Sequence, residues 1–400
     1  MRQLKLFLLL LPALCAAPVH GQDPLVQTIM DAVDADTMMW NLDRLSGQQE
    51  VDIGSGPMLL LNRHKLSPGN DQSATWLQQK LAQYGWSSTT QTFSSTGHNI
   101  LAVRPGLVHP GRAVILCAHY DAIPAPPALA PAADDDGTGV VAVLEAARIL
   151  QDALFENTLI LALWDEEEQG KIGSIYYANV AAANDDTLLA VVNMDAIGWD
   201  GNGDGLMRVH ARPTAANSVA IKDSVLHVNS TYGVNMPIAV NTPGALYSDH
   251  ASFWAQNYGA VLMIEDFDND GNIYYHTPSD LAIHIDVPYF RRIAQLSIGT
   301  AMLFARPISI TAGNNEPPVH TSALSVHPNP TQDIFVVSAL EGRVQELRMF
   351  DMTGAQRHVP VSAFGGSSLL VDATALAPGI YLLEAVHADG RRTTTRLVRQ

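Results

Sequence analysis

The chain has little cysteine, few basic residues and no apolar run long enough to cross a bilayer. Its two cysteines are Cys15 and Cys117. Residues 1–21 read as a secretory signal peptide: a basic start at Met1-Arg2-Gln3-Leu4-Lys5, an apolar stretch over residues 6–14, then small residues up to Gly21. Loss of that segment leaves Cys117 alone, so no disulfide can form within the chain, and stability has to come from a core or from metal. Cys117 lies in the apolar run 113–118 and is expected to be a buried small hydrophobe. The bulky Leu14 before Cys15 argues against a lipid anchor and for free secretion.

Positive charge is the next shortage. There are 23 Lys and Arg against 40 Asp and Glu, a net charge of −17. Residues 325–400 hold seven of each sign and residues 1–21 two basic groups, so the middle carries 14 basic and 33 acidic residues, a net of −19. Such a field argues against nucleic acid as a partner and suits cation binding. No internal repeat is present. A hydrophobic share of 47% with 16% charged residues is that of a globular chain long enough for two domains.

Periodicity predicts one helix over residues 24–40 and a second over 72–84, with Ser73, Ala74, Trp76, Leu77 and Leu81 as its packed stripe. Short apolar runs at 100–103, 113–118, 158–164 and 188–193 read as buried strands, and 139–150 and 172–183 as helices between them. This alternation predicts an α/β fold, a mixed and largely parallel sheet between helices, over residues 22–308. Ligands of such sheets gather beyond the carboxyl ends of the strands. Residues 309–324, with Gly313-Asn314-Asn315-Glu316-Pro317-Pro318, read as a linker. Over 325–400, strand-like runs at 334–337, 344–350, 368–371, 380–386 and 393–398 are separated by Thr353-Gly354, Gly365-Gly366, Pro378-Gly379 and Asp389-Gly390, the pattern of a small β-sandwich.

The strand ends carry the chemistry. His119-Tyr120-Asp121 closes one run, Glu166-Glu167-Glu168-Gln169-Gly170 follows another, and Asn193-Met194-Asp195 ends a third. Asp134-Asp135-Asp136-Gly137-Thr138-Gly139 lies between the first two, and His276 follows later in Tyr274-Tyr275-His276-Thr277-Pro278. Each alone has a plain reading, as a solvated turn or an acidic first turn of a helix. Together they offer imidazole and carboxylate ligands for two divalent ions and a spare carboxylate for proton transfer. Three adjacent aspartates also repel one another unless a cation neutralises them.

These segments, with Ser248-Asp249-His250 and Tyr275-His276-Thr277-Pro278-Ser279-Asp280, resemble the secreted di-zinc aminopeptidase family of bacterial leucyl aminopeptidases, relatives of glutamate carboxypeptidase II and the glutaminyl cyclases. The resemblance spans residues 24–305. It implies two Zn2+ per chain, with Asp135 bridging, His119 and Asp195 on one ion, and Glu168 and His276 on the other. It further implies that Glu167 is the general base for the attacking water, that Asp121 orients His119, that Tyr275 donates to the oxyanion, and that Asp136 follows a strained peptide bond with cis as a candidate geometry. Ser248-Asp249-His250 is implied to support the site wall rather than to form a serine triad. Tyr247 stands where some relatives carry Arg or a disulfide cysteine, so contacts to the substrate terminus are expected to differ.

The implied activity is a secreted metallo-exopeptidase, an aminopeptidase acting on peptide substrates. A glutaminyl-peptide cyclase using one zinc, a carboxypeptidase and a non-catalytic binding protein are the alternatives. Asp200-Gly201-Asn202-Gly203-Asp204-Gly205 and Asp266-Phe267-Asp268-Asn269-Asp270-Gly271 begin like Ca2+ loops but lack a closing glutamate, and a metal-free turn is the expectation for both. The tail has its own resemblance, carried by His327-Pro328-Asn329-Pro330, Phe350-Asp351-Met352-Thr353-Gly354, Leu376-Ala377-Pro378-Gly379-Ile380-Tyr381 and Arg396-Leu397-Val398-Arg399. It resembles the type A sorting domain of the type IX secretion system, which implies that machinery as a partner and an extracellular or cell-surface destination. His327 departs from the aromatic more usual there.

Overall fold

A computed structural model describes residues 22–310 and, beyond them, 324–327, 331, 333–339, 344–351, 355–363, 368–387 and 392–399. The expected signal peptide, most of the expected linker, Pro328-Asn329-Pro330 and the turns at Thr353-Gly354, Gly365-Gly366 and Asp389-Gly390 lie outside the described residues. The chain divides into two compact units, Met1–Thr311 and Ala312–Gln400.

The first unit is built on an eight-stranded sheet. In chain order its strands are β1 (Ser88–Thr92), β2 (His98–Arg104), β3 (His109–His119), β4 (Asn157–Trp164), β5 (Thr187–Met194), β6 (Met207–His210), β7 (Ile238–Asn241) and β8 (Ala260–Glu265). Their order across the sheet is β7-β6-β8-β5-β3-β4-β2-β1. The four central strands β8, β5, β3 and β4 run parallel; β1 and β2 add an antiparallel edge, and β6 is antiparallel to β8. This is the mixed, largely parallel sheet that the alternation of runs predicts.

Helices α1 (Pro24–Asp31), α2 (Ala35–Leu45), α3 (Pro68–Gln83), α4 (Gly139–Ile149), α5 (Ile172–Ala183), α6 (Ser218–Thr231), α7 (His250–Ala255) and α8 (Val287–Ala305) cover both faces. Strand period decides which side chain meets which layer. Val114, Leu116 and Ala118 of β3 join the core that holds α1 to α4, α6 and α8, whereas Ile115 and Cys117 face the core of α5 and α7. Cys117 is buried, and burial pushes its thiol well above the usual range, which makes it inert.

The single helix predicted over residues 24–40 is two. It breaks at Ala32-Val33-Asp34, where the Asp34 carboxylate accepts from the Thr37 N–H and caps a new helix. The Asp34 N–H in turn donates to Glu145, which fixes the break against α4. Sequence reading does not anticipate β6 to β8 or α6 to α8; β6 and β7 are four residues each, too short to show a period.

Among the described residues the second unit holds two four-stranded antiparallel sheets. One orders Leu324–His327, Ile334–Ala339, Ser368–Asp372 and Val361–Ala363; the other orders Gln356–Arg357, Val344–Asp351, Gly379–His387 and Arg392–Arg399. Phe335, Val337, Met349, Val371, Leu383 and Leu397 form its core.

Close packing at one glycine sets where the acidic segment after β4 lies. Gly173 opens α5 with its N–H on the Asp165 carbonyl, and Asn99 bridges the two by donating to the Gly173 carbonyl and accepting the Asp165 N–H. A Cβ at Gly173 would collide with the Asn99 side chain and the Asp165 carbonyl. Gly173→Ala is therefore expected to lower the unfolding free energy by about 1–3 kcal/mol, read by denaturant titration.

Candidate metal centre

The four central parallel strands end together, and the motif residues sit on the segments that leave them. His119 is the last residue of β3, Asp165 follows β4, Asp195 follows β5 and Glu265 closes β8. Asp134-Asp135-Asp136 occupies the turn leading into α4, and His276 lies on the loop after β8.

Two donor groups result. His119, Asp135 and Asp195 form one, and Asp135, Glu168 and His276 the other; within each group the ligand atoms lie within 4.8 Å of one another. Asp135 belongs to both. Its Oδ1 is 3.2 Å from His119 Nε2 and its Oδ2 is 3.0 Å from His276 Nε2, while His276 Nε2 is 3.1 Å from Glu168 Oε2. The first group is buried throughout, whereas the second runs from buried Asp135 to exposed His276, so the centre opens to solvent on that side. His276 holds this place with φ of +60°, a backbone strain that its loop has to sustain.

The donor chemistry fits zinc, which takes imidazole nitrogen and carboxylate oxygen. Glu168 Oε1 is buried without a hydrogen-bond donor, as a ligand atom would be. The electrostatics agree. Burial works against charge on His119, yet Asp121, Asp135 and Asp195 hold its imidazole well above the usual range. His276 is pushed up to about 10: burial opposes, but Asp135 and Glu168 prevail. Burial alone would raise Asp135, but the two imidazoles hold it low. Burial and Asp135 raise Glu168 to about 7. The cluster draws in positive charge.

The three adjacent aspartates have three fates. Asp136 accepts the N–H groups of His119 (3.1 Å), Gly139 (2.9 Å) and Ala196 (3.2 Å), tying the His119 and Asp195 segments to α4. Asp134 accepts from the Gly198 N–H (2.8 Å) and from Asn272 Nδ2 (2.9 Å), which links the loop of His276. Asp135 alone turns to the ligand groups. The peptide bond between Asp135 and Asp136 is cis.

Glu167 lies outside both donor groups, 8% exposed. Burial raises its carboxyl well above the usual range; His119 opposes this and Asp249, Asp195 and Asp121 add to it. Asp121 has its Oδ1 3.4 Å from His119 Nδ1 and accepts the N–H groups of Glu167 (2.9 Å) and Glu168 (3.2 Å), so one carboxylate lies against both the His119 imidazole and the acidic segment. Tyr275, 39% exposed, stacks on His276 at 3.7 Å and meets Phe267 edge-on at 5.0 Å. Burial and then Asp135, Asp195, Glu168 and Glu167 push its hydroxyl far upward, so it stays a donor.

Ser248, Asp249 and His250 are fully buried beside the centre. Ser248 accepts from Asn193 Nδ2 at 2.8 Å, and His250 Nε2 donates to the Ala245 carbonyl at 2.9 Å, an arrangement that leaves no Ser-to-His contact in which a nucleophile could form. Tyr247 is half-exposed, its hydroxyl 3.4 Å from His210 Nε2. The carboxylates of the two calcium-like loops have partners within the protein: Asp266 and Asp268 pair with Arg208, Asp270 accepts the Asn202 N–H across from the other loop, and Asp200 accepts the Gly205 N–H. Neither contributes to a metal-ligand group among the described residues.

Asn272 and Asp280 carry weight that sequence reading does not give them. Asp280 receives the N–H groups of Asp134 and Asp135 at 3.0 and 3.1 Å, and Asn272 meets Asp134 from the other side of His276. The His276 loop is thus latched to the aspartate turn at two points. The signal lies in sequence only as polar residues flanking His276.

Zinc binding has to displace the protons that the carboxylates hold on His276 and His119, so affinity is expected to rise with pH up to about 10. Below that value each proton released costs roughly tenfold in affinity per pH unit. Calorimetry of zinc binding in buffers of different ionisation enthalpy reads the proton count directly.

Residues 99–301, just over half of the chain, match Peptidase family M28, and residues 325–400 match a secretion system C-terminal sorting domain. Leucine aminopeptidase 1 of Trichophyton equinum is 29% identical over 258 residues, 60% of this chain and 68% of that protein. Among solved structures, the LapA aminopeptidase of Legionella pneumophila superposes with a TM-score of 0.58 at 20% identity, covering 70% of this chain and 75% of that one. The glutaminyl cyclase of Porphyromonas gingivalis does so with a TM-score of 0.53 at 19% identity, covering 67% and 98%. The fold is shared with both. With its ligand-bearing strand ends inside the matched stretch, the chain belongs to peptidase family M28.

Proposed function

We propose that this protein is a zinc-dependent aminopeptidase that removes N-terminal residues from peptides, using two ions that share Asp135. The observation that carries the reading is the pair of donor groups joined at Asp135 with Glu167 beside them and outside both. His119 and Asp195 would hold one zinc, Glu168 and His276 the other. When bound, zinc polarises the scissile carbonyl and makes water a nucleophile near neutral pH.

The protein's own groups do the rest. Glu167, whose carboxyl burial raises well above the usual range, takes the proton from the attacking water and passes it to the leaving amine. Tyr275, kept protonated by burial and by the surrounding carboxylates, donates to the oxyanion of the tetrahedral intermediate. Asp121 fixes the orientation of His119 and the backbone of Glu167. The substrate enters from the exposed His276 side, where Tyr275 and Phe267 offer an apolar wall.

Residues 22–308 would form the catalytic domain and 309–324 a linker. Residues 1–21 would direct the first export step, and 325–400 would hand the chain to the type IX secretion machinery for release or surface attachment. Among the described residues no helix is long and apolar enough to cross a membrane. A glutaminyl cyclase of the same fold would need only one zinc, and two complete donor groups favour hydrolysis.

Glu167→Gln is expected to retain zinc and to lose about 10²–10⁴ in kcat. The assay is a panel of aminoacyl and N-blocked peptides with and without chelator, read beside metal content. Cleavage of free-amine substrates alone, abolished by chelator, supports the reading. Wild-type turnover by Glu167→Gln removes the base assignment, and cyclisation without hydrolysis replaces the function.

A further inference from the structure

The donor groups are held by loops, and the fold has to fix the distance between those loops. Arg63 lies in the segment before α3, outside the stretch matched by the peptidase family, and is completely buried. Its guanidinium makes four hydrogen bonds, all to backbone carbonyls: Nε to Tyr120 (2.8 Å), Nη1 to Leu45 (3.0 Å) and Pro131 (2.6 Å), and Nη2 to Ala132 (2.9 Å). Tyr120 stands between His119 and Asp121, and Pro131-Ala132 leads into Asp134 and Asp135. The same side chain therefore grips the limb of one ligand and the limb of the bridging carboxylate.

Its neighbours extend the grip. Asn70 Nδ2 donates to the Arg63 carbonyl and to Asp165 Oδ1, both at 2.9 Å, and Asp165 leads into Glu167 and Glu168. Asn62 Nδ2 donates to the carbonyls of Pro124 (3.0 Å) and Ala128 (2.7 Å), holding the loop between the two limbs.

We propose that Arg63, seconded by Asn70, is a positioning residue for the metal centre: it sets the separation of the His119, Asp135 and Glu168 limbs and so sets how tightly zinc is held. A planar fork with five donors spans carbonyls on three segments, which a lysine ammonium cannot do. Burial lowers the guanidinium to about 10 and Asp280, Asp121, Asp136 and Asp135 oppose that, so it stays charged at neutral pH and adds positive charge behind the carboxylates. Partners behind the ligands typically govern metal affinity by about 10- to 100-fold.

The inference rests on the two-zinc aminopeptidase reading, and its test separates the two. The full-length secreted chain and its Arg63→Lys variant are compared for zinc retention against a chelator, for the visible spectrum of the cobalt-substituted form, and for kcat and KM. A folded Arg63→Lys is expected to lose zinc about 10- to 100-fold more readily, to shift the cobalt bands, and to lower kcat with little change in KM. Wild-type retention and spectrum in the folded variant overturn the proposal. If Arg63→Lys does not fold, Asn70→Ala decides: weaker retention supports the proposal, and unchanged retention overturns it. Failure of both to fold assigns the residues to the fold alone and equally overturns it. A wild-type chain that neither holds zinc nor cleaves free-amine peptides instead overturns the proposed function.

Discussion

Carboxylates buried beside one another have to be neutralised, and the rest of this structure is arranged around that need. Asp121, Asp134, Asp135, Asp136, Glu167 and Asp195 are all buried at one edge of the sheet. Two like charges about 4 Å apart cost roughly 4 kcal/mol at an effective dielectric constant of 20, more than a domain of marginal stability can bear several times over. The protein answers in two ways. Where no cation is wanted, backbone N–H groups converge on the carboxylate, as on Asp121 and Asp136. At Asp135, the carboxylate proposed to bridge the ions, N–H groups stay away and imidazoles stand opposite.

The parallel sheet makes this possible. Ending β3, β4, β5 and β8 at one edge brings four connecting segments together without any long-range cross-link. The loops are then fixed to one another: Asp136 joins the His119 and Asp195 segments, Asp280 and Asn272 join the His276 loop to the aspartate turn, and Arg63 closes the arrangement from the buried side. Catalytic geometry needs placement to within fractions of an ångström, and loops provide it only when so supported.

Much of the fold was legible in sequence because buried parallel strands and amphipathic helices repeat at different periods. β3, β4 and β5 and helices α3, α4 and α5 stand close to where the runs of apolar residues place them. The break in the first helix was not legible, since the apolar pattern continues across Val33 while the Asp34 cap acts through a polar bond. Short β6 and β7 gave no period to read. At the site, the residue types and their strand-end positions were legible, and the resemblance of the ordered motifs gave each a role. The support was not: Arg63, Asn70 and Asn272 carry no motif, and their importance lies in which carbonyls and carboxylates they reach across the fold. The acidic triplet shows the limit most clearly, because sequence treats its members alike and the structure gives each a different partner.

The most direct test of this account is the zinc content of the secreted chain, measured by elemental analysis at equilibrium with micromolar free zinc, beside that of Asp195→Asn. Two ions per wild-type chain falling to one in the variant are predicted, because Asp195 completes only the group shared with His119 and Asp135. One ion per wild-type chain, unchanged by Asp195→Asn, would contradict it.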